Sequence, residues 1–357
     1  MPKILKVETA IPPYCINQEE VAIFAENLFS ENFRDIKRLL PVFQNGEIES
    51  RHFVHDIDWF KKPKSFQEKN DSFVEKSVEL GIEAIRKCIE NSHGVSYGDI
   101  DAIFTICTTG LATPSIEARI MNHLPFPDHV KRIPIWGLGC AGGASGLARA
   151  YEYCLAFPKA NVLVLTIELC SLTFQHGDRS KSNLIGTSLF ADGTACSLLC
   201  GDESPALNES RTPLPAIFAT QSTTMKNSLD VMGWNIKDNG LFVVFSKDIP
   251  TIIEDWLKPN VESFLSKNNL SLKDIKHFVA HPGGKKVIDA YETALGLDHS
   301  LLDSARDILR RFGNMSSATI QYVLQDHLNK EIQTGDIGLG VALGPGFSSE
   351  LLLMRWE

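Results

Sequence analysis

Positions 161–168 read Asn-Val-Leu-Val-Leu-Thr-Ile-Glu, a run with no alternation of apolar and polar residues. A strand with one wet face alternates, and a strand covered on both faces does not. The run is far shorter than the roughly 18–20 residues of a membrane helix. It therefore predicts a strand at the buried centre of a sheet, which requires helices on both sides. The flanking segments supply such a pattern. Apolar strands are predicted over 101–107 and 132–136, and helices over 114–122 and 141–157, the latter rich in small residues that permit close packing. Upstream, helical periodicity covers 17–29 and a segment capped by Asp71 or Ser72 that runs to about 91. Positions 31–69 are charged and broken by Pro41, Gly46 and Pro63, which predicts surface loop with short helix. A turn at Asp192-Gly193 is expected between two strand-like runs within 187–200.

Pro205, Pro213 and Pro215 punctuate a polar stretch that few elements could cross. This Pro-rich connection over 205–215 separates an expected N-terminal half, 1–204, from a C-terminal half, 216–357. Beyond it come strands near Thr220 and Leu241, a helix over 249–267 kinked at Pro259, and a strand over 277–280. Helices at 286–295, 302–311 and 316–329 and a closing hairpin over 336–355 complete the pattern. The halves rhyme: Cys140 precedes a helix in the first and Asn314 precedes one in the second, and each half ends in a hairpin-like segment.

Of the 357 residues, 43% are hydrophobic and the formal net charge is −9, which argues for a folded chain and against nucleic acid as its main partner. The N-terminus lacks the apolar core of a signal peptide, so a cytoplasmic protein without stable membrane insertion is expected. The eight cysteines include no C-x-x-C, and His277 and His281 lack a third ligand, so no metal site is expected.

Gly137-Leu-Gly-Cys-Ala-Gly142 fits G-x-G-x-x-G between a strand and a helix, with Glu168 at the end of the next strand, as in a nicotinamide-dependent oxidoreductase. The competing reading makes Cys140 a nucleophile, because a thiol at a helix N-terminus gains from the macrodipole and the free N–H groups. His281, followed by Pro-Gly-Gly284, ends an apolar strand and so stands over a cleft. Asn314 opens another helix. Cys, His and Asn supply a nucleophile, a base or donor, and a neutral hydrogen-bond donor. A papain-like protease shares that chain order, but its cysteine lies near the mature N-terminus in a different setting.

Trp136-Gly-Leu-Gly-Cys-Ala-Gly-Gly143, His281-Pro-Gly-Gly284, Gly313-Asn-Met-Ser-Ser-Ala318 and Gly344-Pro-Gly346 together resemble the signature set of type III polyketide synthases, the chalcone synthase superfamily. The resemblance implies an α/β fold of thiolase type, five layers αβαβα made of two similar halves, working as a homodimer. It implies condensation of malonyl-CoA units on a CoA starter, with no cofactor beyond these thioester substrates. Cys140 matches the acyl-accepting nucleophile, His281 its thiolate partner, and Asn314 the amide that binds the thioester oxygen with His281. Phe190 matches a gating phenylalanine, and Gly344, Pro345 and Gly346 a loop at the cavity floor. Thr109 and Thr173 keep cavity positions. Thr113 stands where plant enzymes carry a methionine that crosses the dimer, Cys170 where they carry a threonine, and Val243 where they carry a second gating phenylalanine. Arg51 falls near the CoA-contacting basic segment. The segment Cys107–Pro114 and the Ile133-Pro-Ile-Trp136 lead-in resemble the bacterial alkylpyrone branch, which implies a long fatty acyl-CoA starter and triketide or tetraketide pyrones, sometimes resorcinols. A ketoacyl synthase III of fatty acid synthesis, related through Cys-His-Asn, is the alternative.

Overall fold

The computed structural model describes residues 1–30, 36–210, 212–246 and 248–357. In chain order, the first half comprises β1 (Lys3–Ala10), β2 (Tyr14–Asn17), α1 (Gln18–Phe29), α2 (Pro41–Asn45), β3 (Ser50–Phe53), α3 (Phe66–Glu90), β4 (Ala102–Ile106), α4 (Ile116–Ile120), β5 (Lys131–Ile135), α5 (Gly142–Ala156), β6 (Asn161–Leu169), α6 (Lys181–Leu189) and β7 (Asp192–Cys200). The second comprises β8 (Pro215–Thr224), β9 (Met232–Lys237), β10 (Gly240–Phe245), α7 (Ile249–Ile252), α8 (Lys258–Lys267), β11 (Ile275–Ala280), α9 (Lys285–Leu295), α10 (Asp303–Phe312), α11 (Thr319–Leu328), β12 (Ile337–Gly344) and β13 (Ser348–Trp356).

The main sheet runs β11-β12-β13-β8-β1-β7-β6-β4-β5. Its two parts are the same motif. In the first, β1 is antiparallel to β7, β7 to β6, and β6 is parallel to β4. In the second, β8 is antiparallel to β13, β13 to β12, and β12 is parallel to β11. They meet where Lys3 pairs with Ala216. The helices α5 and α11 lie between the parts: α5 packs on β4 and β6 of one and on β12 and β13 of the other. Most of α11 and the first half of α5 are buried, and that half of α5, Gly142–Ala148, is built mainly from Gly, Ala and Ser. Three apolar clusters follow: one around α5 and α11, one between α3 and the first part, and one between α8, α9 and the second. Five layers result, the thiolase-like arrangement. Every residue of β6 is buried, as its lack of alternation requires.

Several local expectations are corrected. The helix expected from Asp71 starts at Phe66, because Ser65 and Glu68 form a capping box: Ser65 Oγ accepts from Glu68 N at 3.1 Å and Ser65 N donates to the Glu68 carboxylate at 2.9 Å. Asp192-Gly193 is the start of β7 and not a turn. The Asp192 carboxylate accepts from Val54 N and from Ser171 N and Oγ, and a Cβ on Gly193 would lie 2.3 Å from Met315 Sδ. Within 31–69, whose first five residues lie outside the described ones, the rest is more than surface loop. There β3 pairs with β2, and Phe43, Phe53 and Phe60 are buried. Ahead of Pro259, residues Ile253–Leu257 widen into a π turn, which accommodates the proline without breaking the helix.

Candidate functional site

Cys140 lies in a tight turn, Gly139–Ala141, that leads directly into α5. Two close approaches fix it. Gly139 has φ +47°, and a Cβ there would sit 2.7 Å from the Pro345 ring; a Cβ on Gly143 would sit 2.1 Å from the Ser317 carbonyl oxygen. Gly139 of the dinucleotide-like pattern therefore seats the turn against the 344–345 loop, and Gly143, beyond that pattern, seats α5 against the turn that leads into α11. Cys140 is buried, and its Sγ donates to Ser316 Oγ at 3.6 Å. Burial pushes its thiol up to about 12, while hydrogen bonds from Ser316 and Asn314 pull the other way.

His281 ends β11, where its N–H donates to Val341 O at 2.8 Å. Its ring is 1% exposed, and neither ring nitrogen has a hydrogen-bond partner among the described residues. Burial alone drives the imidazolium down to about 3. Asn314 follows Gly313, whose φ of +71° ends α10. Asn314 N donates to Leu189 O at 3.0 Å and Ala191 N donates to Asn314 O at 2.9 Å, so its backbone is stapled around Phe190. Its amide is aimed: Nδ2 donates to Gly283 O at 3.0 Å and Oδ1 accepts from Ser316 N at 2.8 Å. The structure thus gathers Cys140, Ser316 and Asn314, and ties Asn314 to the turn that carries His281.

Glu168 supplies a group whose part at this site the sequence does not reveal. It is fully buried, and accepts from Thr108 N (3.1 Å), Thr108 Oγ1 (2.9 Å), Thr109 Oγ1 (3.0 Å) and Ser317 Oγ. Burial raises it to about 7 against the pull of those donors. With every donor directed inward, it has no face left for a ribose, which removes the oxidoreductase reading. The signal for it was an acid closing an otherwise apolar strand.

Phe190, Cys170, Thr173 and Val243 line one cavity, continued by Val21, Phe24, Phe53, Ile57, Phe60 and Phe174. Phe245 and Trp234, which sequence reasoning missed, hold the Phe190 ring at 5.4 and 5.9 Å between centroids. Thr109 lies on a smaller adjoining cavity with Thr173, Lys69 and Leu241. Thr113 is exposed outside both, before a cis peptide to Pro114. Gly344 and Pro345 press on the Cys140 turn, a Cβ on Gly344 falling 2.5 Å from Leu138 O, and Gly346 follows at φ +120°. Arg51, expected near the CoA-contacting segment, lines the same cavity; it is 1% exposed and donates to Thr187 O (2.7 Å) and Phe190 O (2.8 Å). Its charge faces Asp192 across the interior and supports the Phe190 loop from behind.

Comparison with known proteins agrees with this geometry. Residues 2–203 match the N-terminal domain and residues 216–356 the C-terminal domain of the chalcone and stilbene synthases. The chain is 55% identical over 362 residues to a putative chalcone synthase of Bacillus subtilis (strain 168), covering 99% of this chain and 98% of the other. It is 27% identical to the alpha-pyrone synthesis polyketide synthase-like Pks18 of Mycobacterium tuberculosis, over 97% of this chain and 88% of that one. Its fold matches the crystal structure of 1,3,6,8-tetrahydroxynaphthalene synthase from Streptomyces coelicolor A3(2) with a TM-score of 0.93 at 24% identity, over 99% of each chain. The chain belongs to the chalcone and stilbene synthase family and is a type III polyketide synthase, a condensing acyltransferase.

Proposed function

We propose that the protein extends a fatty acyl-CoA starter with malonyl-CoA by decarboxylative Claisen condensation and releases triketide or tetraketide alkylpyrones, with alkylresorcinols as a secondary outcome. The observation that carries this is the cavity behind Phe190. Val21, Phe24, Phe53, Ile57, Phe60 and Phe174 offer an alkyl chain a mostly apolar wall, broken by Arg51, Ser171, Asn183 and Thr187. The pyrone named for the mycobacterial relative supports the product class.

Cys140 attacks the starter carbonyl as thiolate, its proton passing to His281, and the CoA thiolate leaves. Malonyl-CoA then loses CO₂. The electron pair of the broken C–C bond becomes an enolate whose oxygen is held by His281 and by the Asn314 amide, a donor that does not compete as a base. The enolate carbon attacks the acyl-Cys140 thioester, forming the new C–C bond and expelling the Cys140 thiolate. The Cys140 thiolate attacks the extended CoA thioester and CoA thiolate leaves again; after two or three rounds an enol oxygen attacks the thioester carbonyl, closing the lactone and expelling the thiolate. No further cofactor is needed. The protein acts in the cytoplasm as a homodimer, whose contact we place at the free edge of β5, where Leu111 and Trp136 expose apolar surface.

The test is mass spectrometry of products from malonyl-CoA and a ladder of acyl-CoA starters, with Cys140→Ala and Asn314→Ala beside the wild type. Cys140→Ala loses acyl-enzyme formation, and Asn314→Ala loses malonyl decarboxylation far more than loading. Wild-type preference for acetyl or malonyl starters over long acyl chains would overturn the substrate reading. Equal loss of both steps in Asn314→Ala would overturn its oxyanion role.

A further inference from the structure

Lys69 is an interior cation that the mechanism leaves unused. It faces inward from α3 at 5% exposure and forms no ion pair among the described residues. Its Nζ donates to three neutral oxygens: Gln175 Oε1 at 3.0 Å, Asn239 O at 3.1 Å and Phe174 O at 3.4 Å. Gln175 carries the contact onward, its Nε2 donating to Leu241 O at 2.9 Å and Thr173 O at 3.0 Å. The pair thus clamps α3 and the 170–175 segment to the turn and first residues of the β9–β10 hairpin. Burying an ammonium without a carboxylate is costly, and burial lowers its pKa to about 8.

The hairpin needs such a clamp. Its strands pair only with each other and stand apart from the main sheet, and an isolated two-stranded ribbon is marginal. Its turn presses on the clamp: Gly240 has φ +124°, and a Cβ there would lie 3.0 Å from Gln175 Nε2 and 3.3 Å from Lys69 Nζ. The same hairpin carries Val243 into the cavity wall, and Phe245 and Trp234 against Phe190.

We propose that Lys69 is a positioning residue for starter selection: through Gln175 and the Asn239 carbonyl it fixes the hairpin, and so sets the width of the apolar cavity between Val243 and Phe190. This rests on the acyl-starter reading above. Losing the clamp lets the hairpin ride outward and relaxes discrimination by chain length, without touching Cys140, His281 or Asn314.

The experiment compares the full-length wild type with Lys69→Met, Lys69→Arg and Gln175→Leu. Measurements are kcat and KM for hexanoyl-CoA and lauroyl-CoA, malonyl-CoA decarboxylation, and hydrogen exchange of the amides of 240–245. Lys69→Met and Gln175→Leu should speed that exchange and shift the lauroyl-to-hexanoyl kcat/KM ratio by about tenfold, the scale of one or two lost charged or buried hydrogen bonds. Decarboxylation should stay within about twofold of wild type, and Lys69→Arg, which keeps charge and donors, should restore the ratio. Faster exchange with an unchanged ratio would overturn the role in selection, and unchanged exchange would overturn the clamp. Should Lys69→Met fail to fold, Gln175→Leu decides the question alone. A wild type that decarboxylates malonyl-CoA yet accepts neither starter would overturn the acyl reading, while the exchange data still judge the clamp.

Discussion

Replacing Glu168 by Gln tests whether the acid beside the nucleophile is held at a cost. The carboxyl is fully buried and titrates at about 7 in place of 4.5, because desolvation outweighs the donors of Thr108, Thr109 and Ser317. The folded state therefore binds this proton more tightly than the unfolded chain. Below the unfolded value both states are protonated and no penalty exists; as pH rises through the folded value, the penalty becomes complete. At about 1.36 kcal/mol per unit, the ionised group costs the fold about 3 kcal/mol, of which about 2.5 develops between pH ~5 and ~8.5. Glutamine is neutral throughout, so a constant offset from its amide cancels in the difference between the two pH values. With an unfolding entropy of about 2.1 cal/mol/K per residue, Glu168→Gln should gain about 3 °C in Tm over wild type on going from the acidic to the alkaline buffer. The same charge also helps to raise the Cys140 thiol. A Tm difference that is flat across pH would refute the claim that Glu168 ionises against burial.

The remaining expectations follow from close contacts and from the thiol. In His281→Gln, the reaction of Cys140 with iodoacetamide should climb about tenfold per pH unit, as for a thiol near 12, while the wild type stays flat between pH ~6 and ~9 if its proton passes to His281; a wild type that climbs equally would break the pairing. Gly143→Ala drives a Cβ to 2.1 Å from Ser317 O and should cost about 2–3 kcal/mol with loss of activity, whereas Gly177→Ala, with nothing within 4 Å, should be silent in the same thermal assay. Arg51→Met leaves the Thr187 and Phe190 carbonyls and Asp192 without their buried partner, and should cost about 3 kcal/mol. A raised KM for CoA esters at unchanged Tm would instead assign Arg51 a CoA-contacting role.

What could be read ahead of the structure follows the physics of each feature. The non-alternating run of β6 announced a doubly covered strand, and it is buried at every position. Cys140, His281 and Asn314 each sit at an element end beside glycines, so motif and element placement coincide. The failures concern side chains whose reason lies far away in sequence. Asp192-Gly193 looks like a turn because the Val54 and Ser171 donors that make it a strand start are distant. Arg51 looks like a surface cation because nothing local shows the carbonyls of Thr187 and Phe190. Trp234 and Phe245 act through a hairpin whose docking no periodicity reports.

The repeated architecture explains why the nucleophile needs both halves. The turn at Gly139–Ala141 leading into α5 has its counterpart in Ser316–Ala318 leading into α11, and the two helices pack together in the middle layer. Cys140 Sγ meets Ser316 Oγ, so two helix N-termini converge on one sulfur. A thiol at about 12 must be lowered by some five units to be thiolate at neutral pH, about 7 kcal/mol. A helix dipole in a partly buried setting supplies at most about 2 kcal/mol, so the two together leave about 3 kcal/mol unmet. In the proposed mechanism His281 supplies the rest, its own charge being disfavoured by burial unless an anion accompanies it. In that mechanism each charge relieves the other, so proton transfer from Cys140 to His281 makes both ionised forms tenable together. Asn314, a donor without charge, can sit beside the pair without disturbing that balance.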